Sequence, residues 1–297
     1  MLSFRGKDVL CIMDFTRNDL ERLFRIASSK FEGDELRGRV IAMAFFEPST
    51  RTRLSFETAT LRLGGGYIGF DAVQATSVAK GESFSDTIRM LDAYADAIVV
   101  RHSLEGAAKL AAELADSPVI NAGDGSKRHP TQAMIDLYTI WKEKRGIDNL
   151  TYGVLGDLRY GRAAGSFLRA LNIYSPKKVY LIAPESLRPR EELLDSLKMS
   201  WEFADLSEVL PELDVLYVTR IQKERFPDPA EYERVKGSYR IDASLLRDAK
   251  SSMIILHPLP RVDEIALDVD STPHALYFKQ AANGIPLRMA LLREVVP

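Results

Sequence analysis

Residues 40–46, Val-Ile-Ala-Met-Ala-Phe-Phe, form an apolar run with no polar alternation. A strand open to water on one side alternates apolar and polar residues, so this run predicts a strand covered on both faces, as in a parallel sheet flanked by helices. The following residues, Glu47-Pro48-Ser49-Thr50-Arg51-Thr52-Arg53-Leu54, end the strand at Pro48 and open a helix. Leu54, Thr58 and Leu61 keep the helical period, Gly64-Gly65-Gly66 supplies the stop, and Ser49 or Thr50 is the expected N-cap. A helix start presents unpaired N–H groups and the positive end of the dipole. Here three hydroxyls and two guanidiniums crowd the same turn, which suits a phosphate. An ordinary capped helix with surface arginines is the alternative.

The same unit recurs along the chain. Thr16-Arg17-Asn18-Asp19 reads as a cap ahead of an amphipathic helix containing Leu20, Leu23 and Phe24. A strand is expected over 67–70, a helix with Phe84, Ile88, Leu91 and Ala95 in period, and a strand over 97–100 ending at Arg101-His102. A helix over 104–115, a strand over 118–120, a loop over 121–129 and a helix over 130–144 follow. The pattern breaks at 145–149 and a second set begins, with strands over 151–155, 178–182, 214–219 and 252–256 and helices over 161–171 and 190–197. Residues 274–296 read as helical with an interruption at Asn283-Gly284-Ile285-Pro286. At 297 residues the chain exceeds a single core. The expected fold is α/β with two domains, each a parallel sheet flanked by helices, and a C-terminal helix returning to the first. The first domain takes 1–131 and 284–297, the second 145–276.

Charge and cysteine usage exclude several classes. Forty basic against forty-two acidic residues give a net charge of −2, which offers no electrostatic case for a nucleic-acid or membrane partner. One cysteine, Cys11, allows neither an internal disulfide nor a cysteine-built zinc site and fits a reducing compartment. His102, His129, His257 and His274 are too scattered for a metal motif, so no metal or organic cofactor is expected. No apolar run reaches membrane length and no basic-then-apolar segment opens the chain, so the expected location is cytoplasmic.

In open α/β sheets, ligands sit beyond the carboxyl ends of the strands. Collecting the polar residues there gives Ser49 to Arg53, then Arg101, then His129-Pro130-Thr131-Gln132, then Arg162 after Gly156-Asp157. Arg220 and Gln222 follow Val218, and His257-Pro258-Leu259-Pro260 follows Ile255. Singly, each could be a solvated strand end, a loop histidine or a rigid turn. Gly156 to Arg162 invites a dinucleotide reading but lacks the GxGxxG spacing. Together they are cationic, with neutral donors, no paired carboxylates and no activated serine. Such a site binds a substrate with several negative charges.

With Ser49-Thr50-Arg51-Thr52-Arg53, His129-Pro130-Thr131-Gln132 and His257-Pro258-Leu259-Pro260 in this order, the chain resembles the transcarbamoylases over residues 40–292. Thr219-Arg220-Ile221-Gln222-Lys223-Glu224-Arg225 and the leucine of His-Pro-Leu-Pro resemble the aspartate-using members. Ornithine-using members, the alternative, usually carry His-Cys-Leu-Pro. The resemblance implies carbamoyl transfer from carbamoyl phosphate to L-aspartate, an early step of pyrimidine biosynthesis, without a cofactor. It implies that the first domain binds carbamoyl phosphate and the second aspartate. Ser49, Thr50, Arg51 and Thr52 would hold the phosphate, with Arg101 reaching phosphate and carbonyl. Thr52, Arg101 and His129 would polarise the carbonyl, while Gln132 and the turn Pro258-Leu259-Pro260 would hold the amino group. Arg162, Arg220 and Gln222 would bind the aspartate carboxylates. Ser77 and Lys80 would come from the neighbouring subunit of a homotrimer, and separate regulatory chains would bring their own zinc. Two departures stand out: Ala79 before Lys80, where the family often has a second lysine, and the basic pair Lys127-Arg128 before His129.

Overall fold

The computed structural model describes residues 4–70, 80–226 and 228–297; the expected trans residue Ser77 lies outside them. The chain divides into two compact units, Met1–Met134 with Gly284–Pro297, and Ile135–Asn283.

The first unit runs α1 (Arg17–Ala27), β1 (Val40–Phe45), α2 (Thr50–Arg62), β2 (Gly66–Phe70), α3 (Phe84–Tyr94), β3 (Ala97–His102), α4 (Ala107–Leu114), β4 (Val119–Asp124) and the start of α5 (Pro130–Lys144). Its four strands are parallel in the order β2-β1-β3-β4. The unalternating run has the predicted consequence: Ile41, Ala42, Met43, Ala44 and Phe45 are all buried. Ala42 and Ala44 pack in one cluster with Ile88 and Leu91 of α3 and Ala111 of α4. Gly64 stops α2 at φ +78°, where an added Cβ would come within 2.6 Å of the Gly33 carbonyl oxygen.

The second unit holds the rest of α5, then β5 (Thr151–Leu155), α6 (Arg162–Leu171), β6 (Lys178–Ile182), α7 (Glu191–Ser196), β7 (Trp201–Phe203), α8 (Leu206–Val209), β8 (Val215–Val218), α9 (Pro229–Val235), β9 (Ile254–Leu256) and the start of α10 (Tyr277–Val295). Its five strands are parallel in the order β7-β6-β5-β8-β9.

Several boundaries differ from the sequence reading for physical reasons. β4 runs on to Asp124 because its polar residues are satisfied internally: Asn121 Nδ2 donates to the Leu10 carbonyl at 3.1 Å and to Asp124 Oδ1 at 3.0 Å. Three-residue β7 is too short to show a period. The expected interruption near Pro286 is absent, and α10 continues through it. Pro286 costs one backbone bond, but Leu287, Ala290, Leu291 and Leu292 beyond it are buried, and Asn283 before it donates to Thr139 Oγ1 at 3.1 Å.

Candidate active site

Parallel strands bring their carboxyl ends to one edge of each sheet, and in the first unit that edge carries the cationic set. Phe45 pairs with Arg101 in the β1–β3 register, so Arg101 lies beside the chain as it leaves β1. Three helix starts in this unit can be compared. Thr16 caps α1 reciprocally with Asp19, and Ser83 caps α3 by accepting from the Asp86 amide at 3.1 Å. Ser49, the N-cap of α2, makes no side-chain capping bond, and the first turn of α2 holds no acid. The start of α2 therefore keeps its positive end uncompensated by its own side chains, with Thr50 and Arg51 exposed, Ser49 half-buried and Thr52 buried.

Arg101 is held in place from two sides. Its Nη1 donates to the Ala122 carbonyl at 3.1 Å and its Nη2 to Glu47 Oε1 at 3.2 Å, with only 11% of the side chain exposed. Beyond β4, His129 is buried ahead of Pro130, the first residue of α5, and Gln132 is half-buried one position after the buried Thr131. His102 serves packing. Its ring lies against Phe46 and Phe84, and its Nδ1 accepts from the Leu104 amide at 2.9 Å. Burial lowers its pKa, opposed by Glu47 and Asp124. Lys80 is exposed just ahead of α3, and among the described residues no hydrogen bond or ion pair ties it to this cradle.

The second unit assembles its half differently. Gly156 ends β5 at φ +127°, and a Cβ there would fall 2.3 Å from the Thr219 carbonyl oxygen, so only glycine lets the ends of β5 and β8 approach this closely. The next residue, Asp157, is fully buried and stitches two loops together. Its Oδ1 accepts from the Tyr160 amide at 2.8 Å and the Arg159 amide at 3.2 Å, and its Oδ2 accepts from the Gln222 amide at 3.4 Å. Burial raises the Asp157 pKa, outweighing these bonds and the Arg220 charge. The stitch brings the Gln222 loop to Arg162: Gln222 Nε2 lies 3.6 Å from the Cβ position of Gly161, and buried Arg162 opens α6 immediately after. Arg220 is half-buried, and both its terminal nitrogens donate to Glu224, Nη1 to Oε2 at 3.1 Å. Burial works against the Arg220 charge, but Glu224 outweighs it and the pKa rises.

The turn after β9 is held by its own histidine and by an acid that motif reading passed over. Leu259 sits at φ +50° before a cis bond to Pro260. Its amide donates to His257 Nδ1 at 2.8 Å, and His257 Nε2 lies 2.7 Å from Glu264 Oε1. Asp157 and Glu264 both lay outside the sequence-derived site. Asp157 was signalled only as part of the run over 156–162 that follows a strand, and Glu264 not at all. Among the described residues, no three His, Cys, Asp or Glu side chains converge where a metal ion could be held.

Comparison with known proteins settles the family. The family described as aspartate/ornithine carbamoyltransferase matches residues 7–142 with its carbamoyl-P binding domain and residues 148–295 with its Asp/Orn binding domain. The chain belongs to the aspartate/ornithine carbamoyltransferase family. The motif resemblance is thus correct at the family level. Within this carbamoyltransferase family, the aspartate carbamoyltransferase catalytic subunit of Korarchaeum cryptofilum is 79% identical over 296 residues, covering 100% of both chains. The catalytic subunit of M. jannaschii aspartate transcarbamoylase has a similar structure, with a TM-score of 0.88, 46% identity and 98% of each chain covered. So does Trypanosoma cruzi aspartate transcarbamoylase in complex with carbamoyl phosphate and aspartate, with a TM-score of 0.94, 38% identity, and 99% of this chain and 98% of that one covered. No described helix is long and apolar enough to cross a membrane.

Proposed function

We propose that the chain transfers the carbamoyl group of carbamoyl phosphate to the amine of L-aspartate, giving N-carbamoyl-L-aspartate and phosphate, an early step of de novo pyrimidine biosynthesis in the cytoplasm. The observation that carries this reading is the α2 start, left without a side-chain cap or an acid beside a fixed arginine, in a family whose named relatives use aspartate. In the first unit, Ser49, Thr50, Arg51 and Thr52 take the phosphate and Arg101 reaches phosphate and carbonyl. Thr52, Arg101 and His129 stabilise the oxyanion that develops as the amine attacks. Gln132 and the carbonyls of the Pro258-Leu259-Pro260 turn hold the amino group. Arg162, Arg220 and Gln222 take the aspartate carboxylates; ornithine would instead bring an ammonium to these cations. The new C–N bond forms, the C–O bond to phosphate breaks, and the departing phosphate takes the amine proton. Phosphate release from carbamoyl phosphate tests this directly: it is expected with aspartate and not with ornithine or with neither, and release with ornithine alone would reassign the acceptor.

We further propose a homotrimer in which Ser77 and Lys80 serve a neighbouring site. Exposed Leu54 and Leu61 on α2, and Tyr67 and Ile68 on the edge strand β2, offer an apolar surface for a second copy. Reassembling Lys80→Ala with His129→Ala in equal amounts should restore about one site in four, because each intact site needs the right variant in both of two chains. Sites built within one chain would stay inactive at every ratio. The Korarchaeum cryptofilum relative is a catalytic subunit by name, which supports separate regulatory chains here, and the family resemblance adds that those chains would carry zinc. The mass and zinc content of the complex from its native host read this directly.

A further inference from the structure

We infer that His257 is a positioning residue for carbamoyl transfer: its ring, locked in one neutral tautomer, fixes the Pro258-Leu259 backbone so that its carbonyls face the carbamoyl amino group. The inference rests on the role proposed above for that turn and adds the residue that makes it rigid.

The tautomer follows from the partners. The Leu259 amide can only donate, so the His257 Nδ1 that lies 2.8 Å from it must accept and carries no proton. The neutral ring proton is then on Nε2, directed at Glu264 Oε1 at 2.7 Å. Glu264 in turn accepts at Oε2 from the Val262 and Asp263 amides, each at 3.1 Å, so one ring ties both limbs of the turn. The His257 side chain is wholly buried and both nitrogens are engaged, which leaves neither a lone pair nor an N–H for substrate. It therefore acts through the backbone.

The backbone of His257 is anchored as firmly. Its amide donates to Gln280 Oε1 at 2.8 Å, Gln280 Nε2 donates to Asp136 Oδ1 at 2.6 Å, and the Tyr217 hydroxyl donates to Asp136 Oδ2 at 2.9 Å. This buried chain ties the turn to α10, α5 and β8. Leu259 holds φ +50°, a conformation unfavourable for leucine, which persists only where its surroundings fix it. The bond from its amide to His257 is the local restraint.

Three substitutions and one spectrum test the inference. In His257→Asn the amide oxygen stands near the place of Nδ1 and can accept from Leu259. In His257→Leu nothing can, and in His257→Gln the longer amide reaches toward Glu264 and away from Leu259. His257→Leu should raise KM for carbamoyl phosphate and lower kcat by about tenfold to a hundredfold, with KM for aspartate moved less. His257→Asn should recover most of this; if His257→Leu does not fold, His257→Gln takes its place in the comparison. Independently of turnover, the imidazole nitrogen spectrum of the wild-type chain should show Nδ1 unprotonated and a slowly exchanging Nε2 proton. An Nδ1-protonated ring, wild-type constants in His257→Leu, or no recovery in His257→Asn would each overturn the inference while a wild type that turns over left the proposed function standing. A wild type that releases no phosphate would overturn both.

Discussion

In the unit built around β1, the anion cradle is a helix start stripped of its own acceptors beside a fixed arginine; in the unit built around β5, the cations stand on a helix start and a distant loop stitched together by a buried carboxylate. Ser49 makes no capping bond and the first turn of α2 is free of acids, so the field at that point is a product of local chain geometry. Arg162 and Gln222 lie 60 positions apart, and Asp157 binds the Gln222 loop beside Gly161, the residue before Arg162. Their arginines differ in the same sense. Arg101 is nearly buried and meets Glu47 through one nitrogen, 54 residues away, whereas Arg220 meets Glu224 through both nitrogens within a single turn of chain. The first cradle should therefore act on the reacting anion, and the second should act by holding its parts in register.

The sharpest way to break this contrast is Arg101→Ala. Loss of a fixed donor to the developing oxyanion should cut kcat about a hundredfold or more. A change confined to KM for carbamoyl phosphate would make the first cradle a binding device only. Arg220→Ala comes next. It removes a charge-assisted pair to a substrate carboxylate and should raise KM for aspartate about tenfold to a hundredfold with a smaller change in kcat. Unchanged steady-state constants would show that aspartate binds elsewhere.

The same local-versus-distant division decides what could be read from the sequence. β1, α2 and its glycine stop were legible because burial on both faces, the cap and the αL exit are each written within a few residues. So was the placement of Arg101 and Arg220 at strand ends, which mark the ligand edge of a parallel sheet. The continuity of α10 through Pro286 was not, because the packing that outweighs one lost bond comes from residues far away in sequence. Asp157 and Glu264 escaped for a related reason: apart from the His257 ring on Glu264, their partners are backbone amides, which carry no mark in the amino-acid alphabet.

Asp157→Asn gives the smallest effect and the most specific one. Asparagine can keep the Oδ1 bonds to the Tyr160 and Arg159 amides, but its NH₂ group then faces the Gln222 amide, donor against donor. With one loop untied, KM for aspartate should rise severalfold while KM for carbamoyl phosphate stays put, at a cost of about 1 kcal/mol from the lost bond. pH gives a second reading of the same residue. Burial holds the folded pKa of Asp157 above its unfolded value near ~3.9, so the folded state favours the protonated acid. That contribution is fully present below the unfolded pKa and is lost as pH rises through the folded one. The urea midpoint of wild type relative to Asp157→Asn should consequently fall as pH is raised from about 4 through the folded pKa and then level off. A difference that stays flat or grows over that interval would mean the stitch favours the charged carboxylate, and the second cradle would then differ even more than proposed from the α2 start, whose first turn holds no acid.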